Sequence, residues 1–249
     1  MNERTYQYDF SVGNAAMHSI EGRRRKAATM LAVLRESLGD SLASARVLNL
    51  GCSMGIVDEY LAPHVGSTLG IDIDAPAIAA AQQRRIAENA EFRVGDAMQL
   101  DVPDASVDVV ICSQVYEHVP DPSRMMDEIH RVLKPSGVCY FAATNRFCIM
   151  EQHYQLPFLS VIPVPLAHLY LRLAGRGRYY HERHFGLGRL RRLVHRFDVD
   201  DYTMRILESP DRYASGYLVK RRASLAIAKV LARYAYAIFP GYVWLLRPR

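Results

Sequence analysis

The sequence has no uncharged apolar run approaching the roughly 18 residues a membrane-spanning helix needs, so no spanning segment is expected. Its four cysteines, Cys52, Cys112, Cys139 and Cys148, form no C-x-x-C pair. Three of them lie in or beside apolar runs, which favours free buried thiols in a reducing cytoplasm over disulfides. The opening residues, Met1-Asn-Glu-Arg-Thr-Tyr-Gln-Tyr8, do not read as a secretory signal. No G-x-G-x-x-G follows a strand-like run, so a nicotinamide site is a poor fit. No H-E-x-x-H occurs either. His181-Glu-Arg-His184 and the pair Cys148 with His153 match no standard ligand spacing, so no metal is expected. Internal repeats and low-complexity segments are absent.

What is present is a chain of 249 residues, half of them hydrophobic, enough to bury a full core as one α/β domain with insertions. The net charge of +5 hides a polarity. Residues 1–150 carry 14 Lys/Arg against 19 Asp/Glu, whereas residues 151–249 carry 17 against 7. The second part is either an ordinary solvated face or a surface that meets an anionic partner, such as nucleic acid, a phosphate-bearing substrate or an acidic membrane.

One stretch organises the rest: Arg46-Val-Leu-Asn-Leu-Gly-Cys-Ser-Met-Gly55. Val47 to Leu50 reads as a short buried strand, and Gly51 and Gly55 bracket a tight loop that opens a helix near Ile56. Backbone N–H groups at such a helix start, with no side chain in the way, suit a polar ligand. Asp72 ends a second apolar strand 21 residues after Gly51, where an acid suits the hydroxyls of a ribose. Asp96 follows a third strand, Phe92 to Val94.

Strands and helices then alternate. The spacing predicts strands over 47–50, 67–72, 91–94, 107–113 and 137–144, with helices over 56–62, 75–88 and 122–133. Helix 188–197, strand 199–207, helix 222–238 and strand 242–246 complete the pattern. A helix over 20–38, stopped by Gly39, precedes it. This is a Rossmann-like α/β fold: a seven-stranded sheet, mostly parallel with an antiparallel last strand, helices on both faces and insertions after strands five and six. We read residues 1–249 as a single domain, with an N-terminal helical cap (1–45), a cofactor-binding core (46–144) and substrate-side insertions (145–187 and 208–240). The strand ends at Gly51, Asp72, Asp96, Ser113 and Thr144 nominate one edge of the sheet as the site.

The loop, Asp72, Asp96, Glu117-His-Val-Pro-Asp-Pro122 and Leu133-Lys-Pro-Ser-Gly137 stand in order and at family spacing. Together they resemble the class I S-adenosylmethionine-dependent methyltransferases, in the type 11-like branch with an E-H-V-x-D-P signature. The resemblance covers roughly residues 46–145. It implies S-adenosyl-L-methionine as cofactor, with Asn49, Gly51, Cys52, Ser53 and Gly55 against its methionine part. Asp72 would bind the ribose, Ile73 would pack on the adenine, and Asp96, Ala97 and Met98 would hold the adenine edge. Ser113 and Gln114 would lie beside the transferable methyl group. Two positions depart from the family pattern: Asn49 stands where an acid is usual, and Ser53 where a glycine is usual. The helix before the first strand would close over the cofactor, with Tyr6, Tyr8 and His18 as further lining candidates.

For a hydroxyl acceptor a general base helps; the candidates are His118 and His153. The leading expectation is O-methylation of a small-molecule, saccharide or lipid-linked acceptor. The late Pro240-Gly-Tyr-Val-Trp-Leu-Leu246 segment resembles methyltransferases of cell-surface saccharide or glycolipid assembly. A nucleic-acid methyltransferase is an alternative, disfavoured because Ser113-Gln-Val-Tyr116 stands in place of N-P-P-Y or D-P-P-Y. A catalytically inactive cofactor-binding subunit is another. The apolar run 156–171, broken by prolines and followed by Arg172, Arg176 and Arg178, cannot span a bilayer. With helix 222–238 it either folds over the sheet as core or lies on a membrane. The expected place is the cytoplasm, at the inner face of the membrane if the second option holds.

Overall fold

A computed structural model describes residues 7–8, 19–84, 87–218 and 222–249. The elements are α1 (Ile20–Leu38), β1 (Arg46–Leu50), α2 (Ile56–Leu61), β2 (Ser67–Asp72), α3 (Ala75–Gln83), β3 (Ala90–Val94) and β4 (Val107–Ser113). They continue as α4 (Pro122–Val132), β5 (Leu133–Thr144), β6 (Met150–Glu151), β7 (Leu156–Pro157), α5 (Val164–Leu173) and α6 (Leu187–Leu193). The last are β8 (Phe197–Asp201), α7 (Thr203–Glu208), α8 (Arg222–Tyr234) and β9 (Gly241–Pro248).

Seven strands form one sheet in the order β3-β2-β1-β4-β5-β9-β8. β1 to β5 run parallel, and β9 is antiparallel to both of its neighbours. The period of two along each strand splits the core between the faces. Leu48, Leu50, Val110, Cys112, Cys139 and Phe141 pack with Met125 and Ile129 of α4 and Leu190 of α6. Val47, Val109, Ile111, Val138 and Tyr140 pack with Ala27, Met30 and Leu34 of α1 and Ile206 of α7. Because all five parallel strands end on one side, their loops share that edge, as the alternation of elements required.

The expected helices over 75–88 and 222–238 end early, at Gln83 and Tyr234, and three further boundaries differ from the sequence expectation. β5 begins at Leu133 instead of 137, because Leu133 pairs with Val107 before a register shift carries the strand past Pro135-Ser-Gly137. The expected strand 199–207 is strand only to Asp201, whose carboxylate accepts the Thr203 N–H at 2.9 Å and so starts α7. The expected helix 188–197 covers Leu187–Leu193, and Phe197 already belongs to β8. All four cysteines are free and buried. No helix among the described residues is long and apolar enough to cross a membrane.

The segment after β5 builds a small unit of its own: the β6–β7 hairpin and α5 bury Leu156, Leu159, Ala167, Leu171 and Tyr180 together. Asn145 anchors its root. Fully buried, its amide nitrogen donates to the carbonyls of Ala237 and Phe239 and to the Tyr242 hydroxyl, at 2.8 to 2.9 Å. The end of β5 is thereby tied to the turn that leads into β9. Asn145→Ala strands these acceptors and should destabilise the fold by roughly 2–3 kcal/mol in urea unfolding. An unchanged midpoint would show that the turn is held without it.

Candidate functional site

The carboxyl ends of β1 to β4 open into a cavity of about 390 Å³. Asn49, Gly51, Asp72, Ile73, Asp96, Ala97, Ser113, Gln114, His118 and His153 line it, with Gly22, Arg23 and Lys26 of α1. Helix α1 starts at Ser19, whose side chain accepts the Gly22 N–H. Arg23 and Lys26 were legible only as part of a basic helix start; nothing in their spacing marks them as facing a cavity. Gln152, from the β6–β7 turn, also lines it and carried no signal in the sequence. Of the aromatic candidates in the N-terminal segment, Tyr6 and His18 lie outside the described residues, and Tyr8 is exposed.

The loop after β1 is shaped by its backbone. Gly51 adopts φ 68°, and a Cβ there would meet Val115 Cγ2 at 2.9 Å. Ser53 also lies in the left-handed region, at φ 51°, where the usual glycine would sit without cost. The turn sends Cys52 into a separate buried cluster with Ile78, Ala81 and Phe92. Cys52, Ser53 and Gly55 therefore stand behind the cavity wall, and Gly55 caps α2 with φ 72°. Met98 is likewise packed in the core, while its N–H bonds to Asp96 Oδ1 at 3.0 Å.

Asp72 bridges loop and strand. Its Oδ2 accepts the Ser53 N–H at 2.7 Å and its Oδ1 the Asp74 N–H at 3.0 Å. Burial raises its pKa, and these bonds oppose the shift. Each oxygen keeps a second acceptor site for a ligand hydroxyl. Burial also lowers the pKa of Arg23, against the pull of the Asp72 charge. Asn49 donates to Asp58 Oδ2 at 2.7 Å. The acid missing from β1 thus has a counterpart one hydrogen bond away, on α2. Asp58 is fully buried, which pushes its carboxyl up to about 7 despite the Asn49 bond.

At the far end stand the two histidines. Tyr116, fully buried, donates to the Thr144 carbonyl at 2.6 Å and accepts the Phe185 N–H at 3.0 Å. The Arg183 N–H bonds to the Glu117 carbonyl at 2.9 Å. These bonds bring 182–184 against 117–118. Gln7 donates to the His118 carbonyl. The rings of His118 and His153 meet edge to face, centroids 4.9 Å apart. His153 Nδ1 pairs with Glu151 Oε1 at 2.8 Å. Burial would lower the His153 pKa, but the Glu151 hydrogen bond and the charges of Glu182, Glu151 and Glu117 together outweigh it, and the net shift is upward. His118, with burial and two neighbouring imidazoles against it, is held near 3. Gln114, at φ 60°, accepts the Thr144 hydroxyl at 2.6 Å.

Residues 48–141 match a family model described as a methyltransferase domain. A ubiquinone biosynthesis O-methyltransferase from Pseudomonas fluorescens (strain Pf0-1) is 36% identical over 129 residues, 48% of this chain and 55% of that protein. The chain spans about half the length of the curated relatives it matches. Among solved structures, one comes from the complex between the Haloferax volcanii Trm112 methyltransferase activator and a methyltransferase. It has a TM-score of 0.61 at 18% identity, over 98% of this chain and 97% of that one. An S-adenosylmethionine-dependent methyltransferase from Mesorhizobium loti has a TM-score of 0.58 at 15% identity, over 85% of this chain and 94% of that one. At such identities the two structures speak for the fold alone.

The Asp58 carboxyl gives the fold a pH dependence. Its folded pKa of about 7 stands above the usual 3.8, so the folded state holds a proton that the unfolded chain has released. The associated stability is full below pH ~4 and is lost as the pH rises through ~7. Asp58→Asn should therefore remain level between pH 5 and 8 in urea unfolding while the parent loses stability, the variant being the more stable at pH 8. Parallel profiles would contradict this.

Proposed function

We propose that this chain, whose core belongs to the class I S-adenosylmethionine-dependent methyltransferases, methylates a hydroxyl oxygen of an apolar or lipid-linked acceptor at a membrane surface. The cofactor brings its methyl group already activated on a sulfonium. What remains for the chain is to bind, to align and to exclude water.

The residues present fit that cofactor. Gly51 leaves room for close backbone approach, and Cys52, Ser53 and Gly55 shape the loop from behind. Asn49, backed by Asp58, would accept from the ammonium of the methionine part, and Arg23 would meet its carboxylate. Asp72 would take the ribose hydroxyls. Ile73 would cover the adenine, with Asp96, Ala97 and the Met98 backbone at its edge. Ser113 and Gln114 would border the methyl group. His153, its tautomer fixed by Glu151, would accept the hydroxyl proton, and His118 would pack beside it.

The exposed apolar faces of α5 and α8 carry the acceptor reading. Val164, Leu166, Leu169 and Leu173 of α5 are exposed, and Arg172, Arg176 and Arg178 beside them are exposed too. On α8, Ile227, Val230 and Tyr234 are exposed, Tyr234 to 78%. Helices that folded over the sheet as core would bury these side chains. Apolar and cationic side chains on one element suit an anionic leaflet, each cation contributing about 1 kcal/mol. Elsewhere the basic half is partly neutralised within the fold: Arg196 pairs with Asp127, Arg205 with Asp200, Arg212 with Glu36 and Arg249 with Asp198. That weighs against a nucleic-acid groove.

Transfer from methyl-labelled S-adenosylmethionine, with anionic vesicles carrying a hydroxylated prenyl phenol, tests the proposal. Label should enter the lipid fraction and fall by about tenfold or more at high salt or when Arg172, Arg176 and Arg178 become Ser. Label entering only added RNA or DNA, or lipid labelling indifferent to salt and to these arginines, would overturn it.

A further inference from the structure

The wall of the cavity around His118 and His153 holds more ionisable groups than methyl transfer uses. Glu117, Glu151, Glu182 and His184 crowd behind the two imidazoles, all four buried. Glu182 Oε1 lies 4.0 Å from His118 Nδ1. The ligand atoms of His118, His153 and Glu182 all fall within 4.8 Å of one another. Both Glu117 oxygens and Glu182 Oε2 make no hydrogen bond among the described residues, and His184 Nε2 stands 3.6 Å from Glu151 Oε1. Buried carboxylates without donors are rare, because each has given up water for nothing in return.

We propose that His118, His153 and Glu182 bind a divalent transition-metal ion at the acceptor end of the cavity. The donor set, two imidazoles and one carboxylate, suits a borderline ion of the zinc, cobalt or manganese kind. Glu151 completes the arrangement from outside. It accepts from His153 Nδ1 at 2.8 Å and is itself fixed by the Tyr154 N–H at 2.8 Å, so Nε2 is the ring nitrogen assigned to the ion. Ion–donor distances near 2.0–2.2 Å put neighbouring donors about 3.3 Å apart, so the three side chains converge by about 1 Å on binding. Since His118 and His153 both line the cavity, the remaining coordination positions face it. An oxygen of the acceptor would bind there, and His153 would then act through the ion instead of taking the proton itself. That role rests on the methyl-transfer reading; the ion site does not.

The three ligands come from separate segments, so no short spacing in the sequence marks them as a set. The test needs neither cofactor nor acceptor, so it can fail independently of the methyl-transfer reading. The full chain, stripped with a chelator, is titrated with Co²⁺ by visible absorption and with Zn²⁺ by calorimetry. One equivalent should bind, and Glu182→Gln and His118→Gln should each weaken binding by about tenfold or more. Should Glu182→Gln not fold, His118→Gln, at a residue that lines the cavity, carries the same test. Absence of saturable binding, or one equivalent bound equally well by both variants, would overturn the proposal.

Discussion

The Asp72 carboxylate ties the loop after β1 to the start of α3, next to the bonds that the Gly51 and Cys52 N–H groups make to the Ile71 carbonyl. One oxygen receives the N–H of Ser53 in the loop after β1, the other the N–H of Asp74 at the start of α3. Hydrogen bonds to a charged acceptor are worth roughly 1.5–3 kcal/mol each. They hold a loop whose own backbone is under tension, since Ser53 occupies a left-handed conformation without being glycine. The floor of the cavity, from Gly51 through Ile73, takes its shape from this bridge. The neighbouring strand end repeats the device, Asp96 holding the N–H of Met98.

Around that floor the chain concentrates ionisable groups where water is scarce. Arg23 and Lys26 reach in from α1, and burial lowers the pKa of both. Asp58 lies beneath Asn49, and the carboxyls of Glu117 and Glu182 are raised by burial behind the histidines. Fixed charges in a low-dielectric wall orient a zwitterionic, sulfonium-bearing ligand more strongly than they would in water. The same charges cost stability while the cavity holds only solvent, so binding and folding are coupled.

Much of this was legible in the sequence because its signals are local. An apolar run broken by Gly51, and acids at fixed distances beyond it, mark strand ends whatever the rest of the chain does. Parallel topology then brings Asn49, Asp72, Asp96 and Ser113 to one edge. What stayed hidden depends on distant pieces meeting. Nothing in the sequence marks Asp58, which hydrogen-bonds Asn49 and so supplies the carboxylate that Asn49 lacks. Glu182 and His153 sit 29 residues apart and meet only because the hairpin and α5 fold between them. The apolar pattern from Val199 to Leu207 suits strand and helix alike, and the turn in which Asp201 accepts the Thr203 N–H separates β8 from α7. Periodicity on α5 could not say whether Val164, Leu166, Leu169 and Leu173 are core; their exposure shows that they are not.

The central claim is that the edge bridged by Asp72 holds the methyl donor, and calorimetric titration with S-adenosylmethionine tests it most directly. The parent chain should bind, and Asp72→Ala should bind more weakly by roughly 1.5–3 kcal/mol, about 10- to 150-fold. No binding by the parent, or equal affinity in a folded Asp72→Ala variant, would contradict the account.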